Sequence, residues 1–264
     1  MCHHAGVALP TNDRRTGSQS VERALAVLRC FETGPGDLGV SEIAGRVGLS
    51  VSTAHRLTRA LTAGGLLTQD PRTERYKLGP ALVVLGRRAE AQLGYASAVP
   101  ALEALAATTG ESVNLGIRAG DEVLVVLHVA SPQPLRFAQE PGSRVPVHAS
   151  AMGKVLLAWA DDPVREVKRL PPIAGSTDRT ITDPEQLAAQ LPAIRAQGWA
   201  LNDEERNLGV RAVAVPVLDR SGLAVAAVAV QGPTVRIRDE RLPVLGAEIA
   251  ATTAAIAPLL AASS

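Results

Sequence analysis

Between Val51 and Ala63, apolar residues recur at Ala54, Leu57 and Leu61, the spacing of one helical face, while Ser52, His55, Arg56 and Arg59 recur on another. Ser50 stands where its hydroxyl can cap the helix start, and Gly64 and Gly65 stand where it can end. Upstream, residues 40–47 predict a short helix capped by Ser41, with Ile43, Ala44 and Val47 turned inward. Gly48-Leu49-Ser50 is then a tight turn, in which glycine supplies the positive φ that other residues resist. Downstream, Leu66–Thr68 and Arg75–Leu78 flank a polar, turn-rich segment, the pattern of a β-hairpin. Alone, the polar helix face is a solvated surface. Followed by a hairpin, helix, glycine turn and helix make a winged helix-turn-helix, whose second helix enters the major groove of DNA.

The remaining pattern divides as follows. Residues 1–19 lack periodicity and are expected to be a disordered arm, with Arg14 and Arg15 available to a DNA backbone. A helix is expected from Ser20, with Val21, Ala24, Leu25, Leu28 and Phe31 as its apolar stripe. After the hairpin, Leu78, Leu82, Leu85, Ala89 and Leu93 mark a linker helix over 81–96, suited equally to a dimer contact or to packing on its own chain. Pro100 starts another helix, which Gly110 closes. The period then becomes that of strands: 112–118, 122–129, the shorter candidates 135–137 and 144–147, and 210–218 with 223–230 joined by the turn Asp219–Gly222. Helices are expected from residue 149 to 159, from Pro184 to Gly198, and from about Asp239 to Ala261. Strands joined by hairpins and broken by helices predict an α+β domain over 97–264, able to enclose a small-molecule cavity, beside a first domain over 20–80.

Composition narrows the function. At 264 residues the chain has room for about two domains. Two Phe, two Trp and two Tyr leave little for stacking single-stranded bases. Residues 1–80 carry ten Lys and Arg against seven Asp and Glu, a net of +3, and the rest seventeen against nineteen, a net of −2. The basic side is the one expected to meet a polyanion. Cys2 and Cys30 have no disulfide spacing, and Cys2-His3-His4 lacks a fourth metal ligand nearby. No leader and no run of about 20 apolar residues is read, so a soluble cytoplasmic protein without membrane contact is expected.

Several motifs fail on context. Gly34 to Gly39 spells G-x-G-x-x-G, but a helix rather than a strand precedes it. His148 and Ser150 suggest a hydrolase, without a nucleophile elbow or an acid partner. Gly153-Lys154 lacks the flanking residues of a phosphate loop, and Asp203-Glu204-Glu205 lacks the histidines of a metal site. No cofactor, metal or catalytic residue is assigned, and no enzyme is expected.

Five stretches together carry a family resemblance: Ser20–Leu28, the helix-turn-helix from Ser41 to Leu61, Tyr76-Lys77-Leu78-Gly79, His148–Lys154, and Gly198–Glu205 followed by Gly209-Val210. The chain resembles IclR-type transcriptional regulators from residue 20 to about 258. The resemblance implies a winged helix-turn-helix joined by a helix to a GAF-like effector domain, acting as a homodimer or tetramer on double-stranded DNA. DNA contacts are expected from Ser41, Ser50, Ser52, Thr53, His55, Arg56, Arg59, Arg72, Arg75 and Lys77. It further implies an effector pocket at Ser150, Ala151, Met152, Gly153, Asn202, Ala212, Ala229 and Gln231. Backbone N–H groups of Ala151, Met152 and Gly153 at a helix start suit the carboxylate of an organic acid. Many members have small polar side chains where this chain has Ala212 and Ala229, which leaves room for a bulkier or more apolar ligand than a very small oxo-acid. The rival to DNA reading is a ligand-sensing module acting through protein contacts.

Overall fold

A computed structural model describes residues 16–32, 34 and 36–261. The arm contacts and the Cys2-His3-His4 reading lie outside the described residues, as do Thr33 and Pro35 within the glycine-rich segment. The chain divides into two units, one up to Ala89 and one from Glu90.

The first unit packs α1 (Thr16–Arg29), α2 (Val40–Val47) and α3 (Val51–Ala63) over a two-stranded antiparallel sheet of β1 (Leu67–Gln69) and β2 (Tyr76–Leu78). Its core gathers Val27, Leu38, Ile43, Ala54, Leu67 and Tyr76. Helix α1 begins at Thr16, before the expected Ser20, and the Ser18 hydroxyl donates to the Glu22 carboxylate (2.6 Å). Ala26 and Val27 are buried, as is Cys30 just past the helix end; of the expected stripe Ala24, Leu28 and Phe31 pack partly buried against the same core, while Val21 and Leu25 are exposed. Contact with α2 and α3 sets which part of the apolar face is covered. Ser41 does not cap α2. Gly39 is the N-cap, and its N–H donates to Glu42 one turn on (2.6 Å). At the other end Gly48 takes φ 70°, the left-handed turn that the sequence required.

Helix α4 (Ala81–Leu93) is followed across Gly94 by α5 (Tyr95–Thr109). Pro100 therefore lies inside α5 and does not start it. The ring removes the helical bond to the carbonyl of Ala96, an exposed residue.

The second unit is built on one six-stranded antiparallel sheet of β3 (Ser112–Ala119), β4 (Glu122–Val129), β5 (Arg144–Pro146), β6 (Ala200–Asp203), β7 (Val210–Leu218) and β8 (Ala224–Pro233). Their order in space is β5-β4-β3-β8-β7-β6. The residues 135–137 form no strand. Pro132 and Pro134 just before them remove the donors a ladder needs. Alternation along β7 and β8 separates two cores. Ala212, Ala214, Ala227 and Ala229 face α6 (Ala151–Ala158) and α8 (Pro184–Gln197), with the short α7 (Pro163–Lys168) beside them. Val213, Val215, Val228 and Val230 face α5 and α9 (Leu242–Ala261). Small residues on one face and branched ones on the other leave space on the first. Contrary to the expectation of no such run, Asp239–Leu260 is long and apolar enough by length and composition to cross a membrane. Within it Leu245, Ile249 and Ile256 are fully buried against the valine face.

Candidate functional site

Two surfaces carry the candidate chemistry, one in each unit. In the first, Ser50 caps α3 by accepting from the Thr53 N–H (3.3 Å), and its hydroxyl also meets Ser52 Oγ (3.1 Å) and Thr53 Oγ1 (2.9 Å). Thr58, a polar residue the apolar stripe omits, is buried and donates to the His55 carbonyl (3.0 Å). With Ala54, Thr58 and Leu61 inward, Ser52, His55, Arg56 and Arg59 are exposed together, and Thr53 is half-buried at their edge. Among the described residues none of Arg56, Arg59, Arg72 or Lys77 has a carboxylate within ion-pair distance. Arg72 lies in the hairpin turn, where Asp70 accepts from the Arg72 N–H (2.8 Å), and Lys77 is exposed on β2. Arg75 differs from its neighbours. Its guanidinium binds Asp37 (2.8 Å) and Glu42 (2.8 Å), which ties the hairpin to the start of α2. Ser41 is exposed in the first turn of α2.

In the second unit, a narrow cleft lies between the alanine face of the sheet and the start of α6. Ser150, Ala151, Met152, Asn202, Ala212, Ala229 and Gln231, seven of the eight expected residues, line it. Register explains their convergence, because Asn202 pairs with Ala212 and Ala212 with Gln231, a row across β6, β7 and β8. Gly153 is the exception. Its N–H donates to the capping Ser150 hydroxyl (3.1 Å), and a Cβ there would run into the Val147 backbone, so the glycine serves close packing. Only Ala151 and Met152 are left as free N–H groups at this helix start.

Most polar groups around the cleft are already committed. Asn202 donates to the Ala149 carbonyl (2.6 Å) and accepts from the Glu205 N–H (3.1 Å). Each carboxylate of residues 203–205 is ion-paired: Asp203 with Arg211 (2.5 Å), Glu204 with Arg179 (3.0 Å) and Glu205 with Lys154 (2.5 Å). Hydrogen bonds from Arg211 hold the Asp203 carboxyl below the usual carboxylate range. His148 and Ser150 do not form a nucleophile and base. The Ser150 hydroxyl donates to the Pro146 carbonyl (2.9 Å), while His148 Nε2 meets the Ala174 carbonyl (3.3 Å). Burial lowers the His148 imidazole below its ordinary value.

Sequence reading missed Gln139, Arg206, Asn207 and Arg211 as cleft residues. Gln139 sits in an irregular stretch without periodicity, and Arg206 follows an acidic run that reads as ordinary solvated loop. Pairing of β6 with β7 is what carries the 204–209 loop to the cleft mouth.

Comparison with known proteins gives one consistent result. Residues 20–71 match the family described as the IclR helix-turn-helix domain, and residues 95–257 match that described as the bacterial transcriptional regulator IclR C-terminal domain. The HTH-type transcriptional regulator BhcR of Paracoccus denitrificans is 38% identical over 86% of this chain and 81% of its own. The glycerol operon regulatory protein of Streptomyces griseus is 40% identical over 85% of this chain and 89% of its own. Among solved structures, the IclR transcriptional regulator of Alicyclobacillus acidocaldarius superposes with a TM-score of 0.81 at 29% identity, covering 93% of this chain and 99% of that one.

Proposed function

The chain belongs to the IclR family of bacterial DNA-binding transcriptional regulators, and on that premise we propose that α3 reads an operator while an organic acid in the cleft controls its affinity. The observation that carries the reading is the exposed ridge of Ser52, His55, Arg56 and Arg59, whose arginines lack partners among the described residues. Ser50 fixes the helix start, and Thr53 and Ser41 flank the ridge. Arg72 and Lys77 on the hairpin meet phosphates, whereas Arg75 acts inside its own unit. The protein works in the cytoplasm as a homodimer, or as a pair of dimers, placing two α3 helices in major grooves about 34–36 Å apart. The effector's carboxylate meets the Ala151 and Met152 N–H groups and its body lies over Ala212 and Ala229. The ligand acts by binding one arrangement of the DNA-reading heads more tightly than the other.

The test is a binding assay on the neighbouring intergenic DNA. Affinity should fall steeply with salt as phosphate contacts release counterions. Arg56→Ala should cost about 1–3 kcal/mol and alter sequence preference, while Arg72→Ala or Lys77→Ala should weaken all duplexes alike. If all three variants bind a genuine operator as the parent does, DNA reading by this face is overturned.

A further inference from the structure

The cleft presents donors without matching acceptors. Arg206 lines it, is half-buried, and has no hydrogen bond or ion pair among the described residues. Burial holds its guanidinium below the usual arginine range. Gln139 also lines the cleft. It is 5% exposed, and its Nε2 is buried without a partner. Gln231 is set by a relay across the sheet. His128 Nδ1 donates to Asn114 Oδ1 (2.8 Å), Asn114 Nδ2 donates to Gln231 Oε1 (3.3 Å), and Gln231 is left to offer its Nε2. Adding the Ala151 and Met152 N–H groups, the donors exceed the roughly four lone-pair sites of a single carboxylate. Ala212 and Ala229 also line the cleft and offer no polar group.

Resting on the effector reading above, we infer that the ligand is a dicarboxylate with an apolar middle, and that Arg206 is the counter-ion of its second carboxylate. An unpaired, half-buried guanidinium is costly to the empty protein and is satisfied when an anion arrives. Gln139 and Gln231 supply neutral donors beside it. A monoacid of the same length would satisfy the α6 start and leave Arg206 as it found it.

The experiment titrates the full chain calorimetrically with succinate, glutarate and adipate and with the matching monoacids butyrate, valerate and hexanoate. At least one dicarboxylate should bind about tenfold or more tighter than its monoacid. Arg206→Gln should abolish that preference while keeping monoacid affinity within about threefold, and should leave the ligand-free unfolding temperature unchanged or higher. Loss of monoacid binding as well would mean that Arg206 does not single out the second carboxylate, and would overturn the inference. Equal binding of both classes, no binding by any dicarboxylate, or an Arg206→Gln protein that keeps the preference would overturn it too. Operator binding in the same preparation, followed with salt, reports separately on DNA reading.

Discussion

Lys154 enters α6 one turn after its cap and is 2% exposed, a position at which an ammonium group costs several kcal/mol unless it is paired. Glu205 Oε1 lies 2.5 Å from its Nζ, and the Leu201 carbonyl accepts a second bond at 3.3 Å. The pair joins α6 to the loop after β6, so it holds together the two walls of the cleft. Glu205→Ala should lower unfolding free energy by about 3–5 kcal/mol, because it strands a buried cation. The double variant Lys154→Met with Glu205→Leu should lose clearly less than Glu205→Ala alone. Urea denaturation of the three proteins checks this, and a double variant as unstable as Glu205→Ala or less stable would refute it. Neither partner's role was legible in the sequence. Lys154 read as an incomplete phosphate loop and Glu205 as one of three loop acids, since their meeting depends on β6 lying at the sheet's edge, 51 residues away along the chain. The cleft's alanine floor was foreseen only through the family resemblance, and the period of two along β7 and β8 then accounts for why Ala212, Ala214, Ala227 and Ala229 share one face.

Among the elements, helices were easiest to foresee where side chains cap their own ends and hardest where tertiary contact chooses the buried side. Ser50 and Gly48 both act locally, and both stand at the ends expected of them. In α1, Ala24 and Leu28 of the expected stripe do reach the core, but nothing local selects Val27 over Val21 and Leu25 for full burial. Capping gives a direct contrast between two serines. Ser50→Ala should destabilise the first unit by about 0.5–2 kcal/mol through the lost bond to Thr53, whereas Ser41→Ala should cost almost nothing, because Gly39 and Glu42 close the start of α2. Thermal unfolding followed by circular dichroism separates the two. A comparable loss in both variants would contradict this assignment of caps. The hairpin repeats the lesson with arginines. Arg75 reads like Arg72 and Lys77 along the chain, but residues 37 and 42 lie against β2 and claim its charge. Its contribution belongs to the wing's attachment, whereas Arg72 and Lys77 have no ion pair among the described residues.

For the whole molecule, the question is how an event in one unit is felt by DNA at the other. A ligand that binds only the folded second unit stabilises it by about 2.7 kcal/mol at a hundred times its Kd, whether or not DNA is affected. Stabilisation alone is therefore no sign of regulation. Coupling requires unequal affinity for two arrangements of the chain, and typical coupling of about 1–3 kcal/mol corresponds to a change of about 5–150-fold in DNA affinity. It must also be reciprocal, so the operator duplex should alter effector affinity by the same factor and in the same direction as the effector alters operator affinity. Two titrations on the full chain measure this: effector into protein with and without saturating operator, and operator into protein with and without saturating effector. A common factor different from one would establish that effector binding and operator binding are coupled. An effector that raises the unfolding temperature yet leaves both affinities unchanged would mean that the cleft serves only the stability of its own unit, and that control of α3 comes from elsewhere.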